Sequence, residues 1–424
     1  MTLDRTQAPE AYPIKKFSLL PADQFQLVNG IDTFLVNGGR QPIINLQLVI
    51  KIGKWEETQQ GQAYFMGKML GEGTSSYTSQ QISERFESLG AYWNISTGAD
   101  WLELSLLCLN KHIDKLLPIL VELLTEATFP TKEFEHVKHL AIQQLLINKE
   151  KTSYESGVFF KKHIFGEQHP YGYSLDETAI KQIDKAPIQA FYQEILKRKN
   201  ALLFVSGRVE EEHLASIQKH IGGLEFKQIG DTIQKESVTK VASTKKIYHE
   251  REGALQSSIK IGRLIFAKQH EGHIAFQVLN TILGGYFGSR LMQNIREEKG
   301  LSYGISSSVT FMKDQGVWMI GSEVQKEKKD LALVEIYKEL DRLKTELVEE
   351  KELNLVKNYI AGSFVKAINS PSSVINCHKS MRLYQLPLDY YDQYIPKIWK
   401  VTPSEIQVLA QEYFSDDLLE VVVG

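Results

Sequence analysis

The feature that most constrains this chain is a repeat within it. The segment IKQIDKAPIQAFYQEI (180–195) lies over IWKVTPSEIQVLAQEY (398–413) at an offset of 218 residues. Ile180 falls on Ile398, Ile183 on Val401, Ile188 on Ile406 and Phe191 on Leu409, while Gln193-Glu194 falls on Gln411-Glu412. Each copy leads into an apolar run, ALLFVSG or LLEVVVG, of the kind that makes a buried strand. A period of half the chain means two copies of one α+β unit. At 424 residues the chain also exceeds the size at which a single core stops growing.

The first copy opens with FQLVNGIDTFLVN, a hairpin pattern that turns at Asn29-Gly30. INLQLVIKIG (44–53) alternates apolar and polar residues and reads as a half-buried antiparallel strand. GQAYFMGKMLGEGT (61–74) and TSQQISERFESLG read as helices, the second with a Ser/Thr start and a glycine stop. Two strands in AYWNISTGADWLELSLLCL and an apolar helix in NKHIDKLLPILVELLTEA follow. In TKEFEHVKHLAIQQLLINKEK, Phe134, Val137, Ala141 and Leu145 share one helix face after a Thr131 cap. The polar, proline-free KQIGDTIQKESVTKVASTKK reads as a linker. The expected layout is an N-terminal domain over 1–225, a linker over 226–244 and a C-terminal domain over 245–424. Each domain is expected to be an antiparallel sheet with helices on one face, an α+β fold. The free faces of the two sheets would then enclose a cavity, giving a half-shell.

Composition removes several function classes. The net charge is −3 and no patch of five or more Lys/Arg occurs, which argues against nucleic acid as a partner. No apolar run approaches the length that spans a bilayer. The opening MTLDRTQAPEAYPIKKFSLLPADQF lacks the apolar stretch of a signal peptide. Cys108 and Cys377 stand far apart in apolar contexts and read as buried free thiols, as suits a cytoplasmic protein.

The most specific motif is NTILGGYFGSRLMQNIREEKGLSYGISSSV (280–309), and FGEQHPYGYSLDETAIKQI (165–183) adds a second. Through these runs and its two-domain order, the chain resembles the pitrilysin/insulinase group of zinc peptidases, in its processing-peptidase-like form. The resemblance covers nearly the whole chain. It implies that the helix in GQAYFMGKMLGEGT occupies the place where active members carry the inverted motif H-x-x-E-H. There two histidines one helical turn apart hold zinc, the Glu beside them activates the bound water, and a Glu on a later helix completes the ligands. This sequence has Tyr64, Gly67 and Lys68 at the motif positions, and Gln143 or Gln144 near the later one. A phenol, a hydrogen atom, an ammonium and a neutral amide cannot replace two imidazoles and two carboxylates. The helix reads as a retained scaffold without its catalytic site.

The C-terminal motif is intact. The resemblance implies that Arg296 and Tyr303, seven residues apart, reach across the chamber to substrate at a zinc site. A guanidinium suits peptide carbonyls, and a phenol can donate to an oxygen gaining charge. The plain structural readings are a cation in the last helical turn before Gly300 and a strand residue packed on the sheet. Gly284, Gly285 and Ser289 read either as a chamber-lining loop or as a turn whose Ser289 caps the next helix. YWNIS corresponds to the edge strand where active members bind extended peptide; beside a lost site, ordinary sheet is the plainer reading. His136/His139 and His270/His273 are pairs three apart with no third ligand nearby, and read as solvated surface histidines. LGGYFGSR lacks the Lys-Ser/Thr ending of a phosphate loop.

The resemblance therefore implies a non-catalytic subunit that binds no metal itself. Its expected partner is a similar-sized peptidase subunit with an intact H-x-x-E-H motif and its zinc, and the substrates are peptides. The alternative is an inert structural or peptide-holding homodimer. No membrane or nucleic-acid role is expected.

Overall fold

The computed structural model describes Thr6 and residues 12–195, 201–225 and 246–424. The expected linker over 226–244 lies outside the described residues. Six strands form the first sheet: β1 (Asp23–Gln26), β2 (Asp32–Asn37), β3 (Ile43–Ile50), β4 (Tyr92–Thr97), β5 (Leu102–Leu109) and β6 (Ala201–Gly207). Five form the second: β7 (Lys246–His249), β8 (Gln256–Ile265), β9 (Ser302–Phe311), β10 (Gly316–Gln325) and β11 (Leu419–Val423). The strand orders are β1-β2-β6-β3-β5-β4 and β7-β11-β8-β10-β9. Without the extra edge strand β1, the two orders are one topology written twice.

Each sheet departs from the expected antiparallel form at one place. The final strand of each copy, β6 or β11, runs parallel to the first, β2 or β7, and antiparallel to the second. Inserting the last strand between the first two forces one parallel contact. It also makes β3 a central strand, so IINLQLVI is buried on both faces rather than half-buried.

The N-terminal half carries α1 (Gln62–Met69), α2 (Ser79–Glu87), α3 (Ile113–Thr125), α4 (Thr131–Lys149), α5 (Thr152–Phe165), α6 (Glu177–Gln182), α7 (Lys185–Ile195) and α8 (Glu211–His220). The C-terminal half carries α9 (His273–Asn280), α10 (Lys329–Thr345), α11 (Glu350–Ala367), α12 (Pro371–Leu383), α13 (Tyr390–Lys400) and α14 (Pro403–Tyr413). The eight residues of the four matched apolar pairs are all buried: Ile180, Ile183, Ile188 and Phe191 in one core, and Ile398, Val401, Ile406 and Leu409 in the other. Thr78 caps α2 through Gln81 N–H, as its Ser/Thr start predicts. Pro130, one residue before the expected Thr131, stands at the N-cap of α4.

The opposite face of each sheet is only partly free, because each half lends it a helix. Val374, Ile375 and Leu383 of α12 pack on Phe34, Val36, Val49 and Phe204 of the first sheet. Phe160, Ile164 and Phe165 of α5 pack on Val317, Leu419, Val421 and Val423 of the second. Polar contacts accompany both crossings: Gln47 Nε2 donates to Asn376 Oδ1 at 3.1 Å, Lys379 pairs with Glu103 at 2.9 Å, and the Ser156 and Ser258 hydroxyls meet at 2.8 Å. The N-terminal segment also belongs partly to the other half. Phe17 packs on Phe364, and the Ile14 carbonyl accepts from Trp399 Nε1.

Candidate functional site

In α1, Tyr64 and Lys68 point outward one turn apart, and Gly67 is buried between them. The Lys68 ammonium lies 5.9 Å from the centre of the Tyr64 ring, so a cation occupies the face where a dication would need ligands. Gly67 is glycine for a packing reason. A Cβ there would sit 2.4 Å from Thr97 Cγ2 on β4, and one at Gly71 would sit 2.4 Å from the Trp93 ring. Helix and edge strand touch backbone to side chain along this line, and no carboxylate base fits at Gly67. Gln144 on α4 is exposed and donates to Asn148 Oδ1 within its own helix. The residues present do not fit a zinc ion. Among the described residues, the one cluster with metal-ligand spacing is Glu210, Glu212 and His213, at the start of α8. His213 Nδ1 accepts the Glu210 backbone N–H there and serves as a helix cap.

Arg296 and Tyr303 come together. The guanidinium carbon of Arg296 lies 4.9 Å from the Tyr303 ring centre and 4.9 Å from that of Phe287. Tyr303 is 89% exposed and Phe287 62%. Arg296 is thus held between two rings at the surface, with its Nε 3.2 Å from Glu297 Oε1. Sequence reasoning passed over Phe287, an apolar ring in a glycine-rich turn, which was the available signal.

The scaffold beneath Arg296 explains its position. Residues Met292–Glu298 form π-helical turns, with Lys299 N–H donating to the Asn294 carbonyl, and Gly300 leaves the helix at φ 57°. Arg290 makes a bidentate pair with Glu352 at 2.9 and 2.8 Å, tying this segment to α11. Asn294 donates to Glu335 and Glu339 on α10. Gly284 is buried where a Cβ would meet Ser307 N at 2.6 Å, so it permits close packing on β9. Gly285 is exposed. Ser289 does not cap the following helix: among the described residues its buried hydroxyl has no hydrogen-bond partner.

His136 and His139 are exposed, as expected, but His273 is not. It is buried, its Nδ1 is 3.1 Å from the Tyr390 hydroxyl, and burial, reinforced by Lys268, His270 and Lys397, lowers its pKa to about 3. Helix α9 begins before the apolar stripe and carries it inward. Cys108 and Cys377 are buried and unbridged. The HPYG connection is structural: Tyr171 donates to Asp100, and Tyr173 donates to Glu57 at 2.6 Å.

Comparison with known proteins places this geometry. Residues 34–162 match the profile of the insulinase family, peptidase family M16, and residues 182–360 match that of the peptidase M16 inactive domain. The chain belongs to the insulinase family of peptidases. Within it, the chain is 22% identical over 393 residues to "uncharacterized zinc protease YmxG" of Bacillus subtilis, covering 92% of this chain and 95% of that protein. It is 22% identical over 361 residues to "non-peptidase homolog YmxG" of Helicobacter pylori, covering 83% and 81%. The crystal structure of a peptidase M16 inactive domain from Pseudomonas fluorescens superposes with a TM-score of 0.85 at 22% identity, over 96% of this chain and 98% of that one. A protease from Helicobacter pylori gives 0.85 at 18% identity, over 96% and 100%. The family fold, two copies of one α/β unit, is therefore retained here. No helix among the described residues is long and apolar enough to cross a membrane.

Proposed function

We propose that this chain is the non-catalytic subunit of a two-subunit peptidase. It supplies half of the wall around a peptide chamber and extends Arg296 and Tyr303 toward peptide held at the zinc of a partner with an intact H-x-x-E-H motif. The observation that carries this reading is the state of the two motifs. The first has lost every ligand and its base, while the second is held together at the surface. A half-buried guanidinium stacked on two exposed rings keeps its outward N–H groups available, and two peptide carbonyls are acceptors of matching geometry. The partly free sheet faces, rich in serine on β9, would form the wall.

The test is reconstitution. The purified chain is mixed with a family subunit carrying the intact motif, complex formation is followed by light scattering, and cleavage of an unstructured peptide is assayed. A complex whose activity exceeds that of the partner alone is the expected result. A chain that remains monomeric beside such a subunit, or that closes into an inert homodimer, removes the proposal.

A further inference from the structure

The C-terminal domain holds a cavity that the peptidase reading does not use. It has a volume of about 420 Å³ and lies on the helix side of the second sheet, between α9, α11, α13 and β9. Its floor is α9, the second copy's counterpart of α1. MLGEG (69–73) falls on ILGGY (282–286) at an offset of 213, which sets Gln277, Asn280 and Thr281 opposite Tyr64, Gly67 and Lys68. In the first copy Gly67 lets the helix close on Thr97. In the second, Asn280 stands off from β9 and bonds it instead: Asn280 Nδ2 donates to the Ser307 carbonyl at 3.1 Å, and Ser307 Oγ donates to Asn280 Oδ1 at 2.6 Å. Trp318 Nε1 donates to Ser307 Oγ at 2.8 Å, so the floor is rigid.

The lining has two chemistries. Phe276, Phe311, Phe364, Tyr390, Tyr391 and Tyr394 surround the space with rings. Among the described residues the charged side chain in the lining is Lys268, and no carboxylate lines the cavity. Lys268 donates to Ser380 Oγ at 2.9 Å and lies 4.7 Å from the Tyr384 ring, and among the described residues it makes no ion pair. The charges acting on neighbouring His273 are Lys268, His270 and Lys397, all basic. A half-buried ammonium without a counter-ion, beside a ring-lined space, has an unmet need for an anion. One cation rather than an Arg cluster suits a monoanion, and the rings suit an aromatic body. The volume lies in the range of small-ligand sites, and the exposed Gly285 in the lining brings the cavity to the surface.

We infer that this cavity binds an aromatic carboxylate, its ring among the tyrosines and phenylalanines and its carboxylate on Lys268. The same chemistry is offered by a free aromatic acid and by the C-terminal residue of a peptide chain. The inference is independent of the role given to Arg296 and Tyr303.

Calorimetric titration of the full chain tests it. N-acetylphenylalanine should bind about 10- to 150-fold more tightly than N-acetylphenylalaninamide, the difference expected of one charge-assisted contact. Tetraglycyl-phenylalanine, as free acid and as amide, separates the sources: binding by the free peptide acid assigns chain termini, and binding by the small acid alone assigns a free molecule. Lys268→Gln should abolish the acid preference, while Arg296→Ala should leave it intact. Should Lys268→Gln fail to fold, protection of Lys268 from acetic anhydride by the acid, read by mass spectrometry, locates the site on the unaltered chain. Equal binding of acid and amide, no binding at millimolar concentration, or bound acid that leaves Lys268 unprotected would overturn the inference.

Discussion

Arg296 lies 4.9 Å from two exposed rings, and this arrangement separates the contributions of three side chains. In the reconstituted pair, Arg296→Ala should lower the cleavage efficiency roughly 10- to 150-fold, because charge-assisted hydrogen bonds are worth about 1.5–3 kcal/mol. A cation that served only its helix end would cost about 0.3–1 kcal/mol of stability and no activity. Tyr303→Phe keeps the ring over the guanidinium and removes the hydroxyl, so any loss in rate reports a bond to substrate. Phe287→Ala removes one stacking partner worth about 0.5–1 kcal/mol at an exposed site, a loss of roughly 2- to 5-fold. Initial rates at equal assembly, checked by gel filtration, give all three numbers. His273 makes a separate residue-scale prediction. In the unfolded chain it takes a proton below about pH 6.5, but in the fold only near pH 3. Acid therefore favours the unfolded chain, and the stability contributed above pH 6.5 is lost as pH falls toward 3. The slope from this group is at most about 1.4 kcal/mol per pH unit. Denaturant unfolding at pH 7 and pH 5 should show a smaller difference for His273→Asn than for the natural chain.

At the scale of elements, the contact of α1 with β4 governs which side chains can stand on this face of α1. Gly67→Ala should destabilise the protein by about 1–3 kcal/mol through overpacking against the stiff, β-branched Thr97. Helix propensity alone would have it stabilise by about 1 kcal/mol. Thermal melts of Gly67→Ala, with and without Thr97→Ser, distinguish the two: the double variant should recover much of the loss. The same crowding means that writing His, Glu and His at positions 64, 67 and 68 does not rebuild a zinc site. The triple variant is expected to melt lower and to retain no stoichiometric zinc by elemental analysis after dialysis.

For the whole molecule, the exchange of α5 and α12 between the halves decides cooperativity. Each helix buries three large apolar side chains on the other half's sheet. Separating the halves would expose both patches at once, at roughly 1.5–3 kcal/mol for each fully buried side chain. Calorimetry should therefore show one unfolding transition rather than two. The segments 1–225 and 245–424, produced separately, should aggregate or remain poorly folded, and should associate when co-expressed. Two resolved transitions, or a soluble folded half, would mean that the crossings are energetically minor.

Local pattern was enough to specify much of this protein. The repeat, the hairpin strands, the capped start of α2 and the buried face of α4 follow from periodicity and capping, which act over a few residues. The absence of metal ligands at Tyr64, Gly67, Lys68 and Gln144 is likewise a matter of side-chain chemistry that no fold can alter. Other features depend on partners distant in sequence. The parallel strand pairs arise because β6 and β11 insert between strands over a hundred residues earlier, which no local period records. The placement of α5 and α12 across the halves comes from the match of two apolar faces. His273 is buried because α9 turns it toward Tyr390, 117 residues away, although HEGH looks like surface. The stacking of Phe287 on Arg296 and the ring-lined cavity beside Lys268 belong to the same class. Burial and ring contact are properties of assembled surfaces, and only the tertiary structure brings those surfaces together.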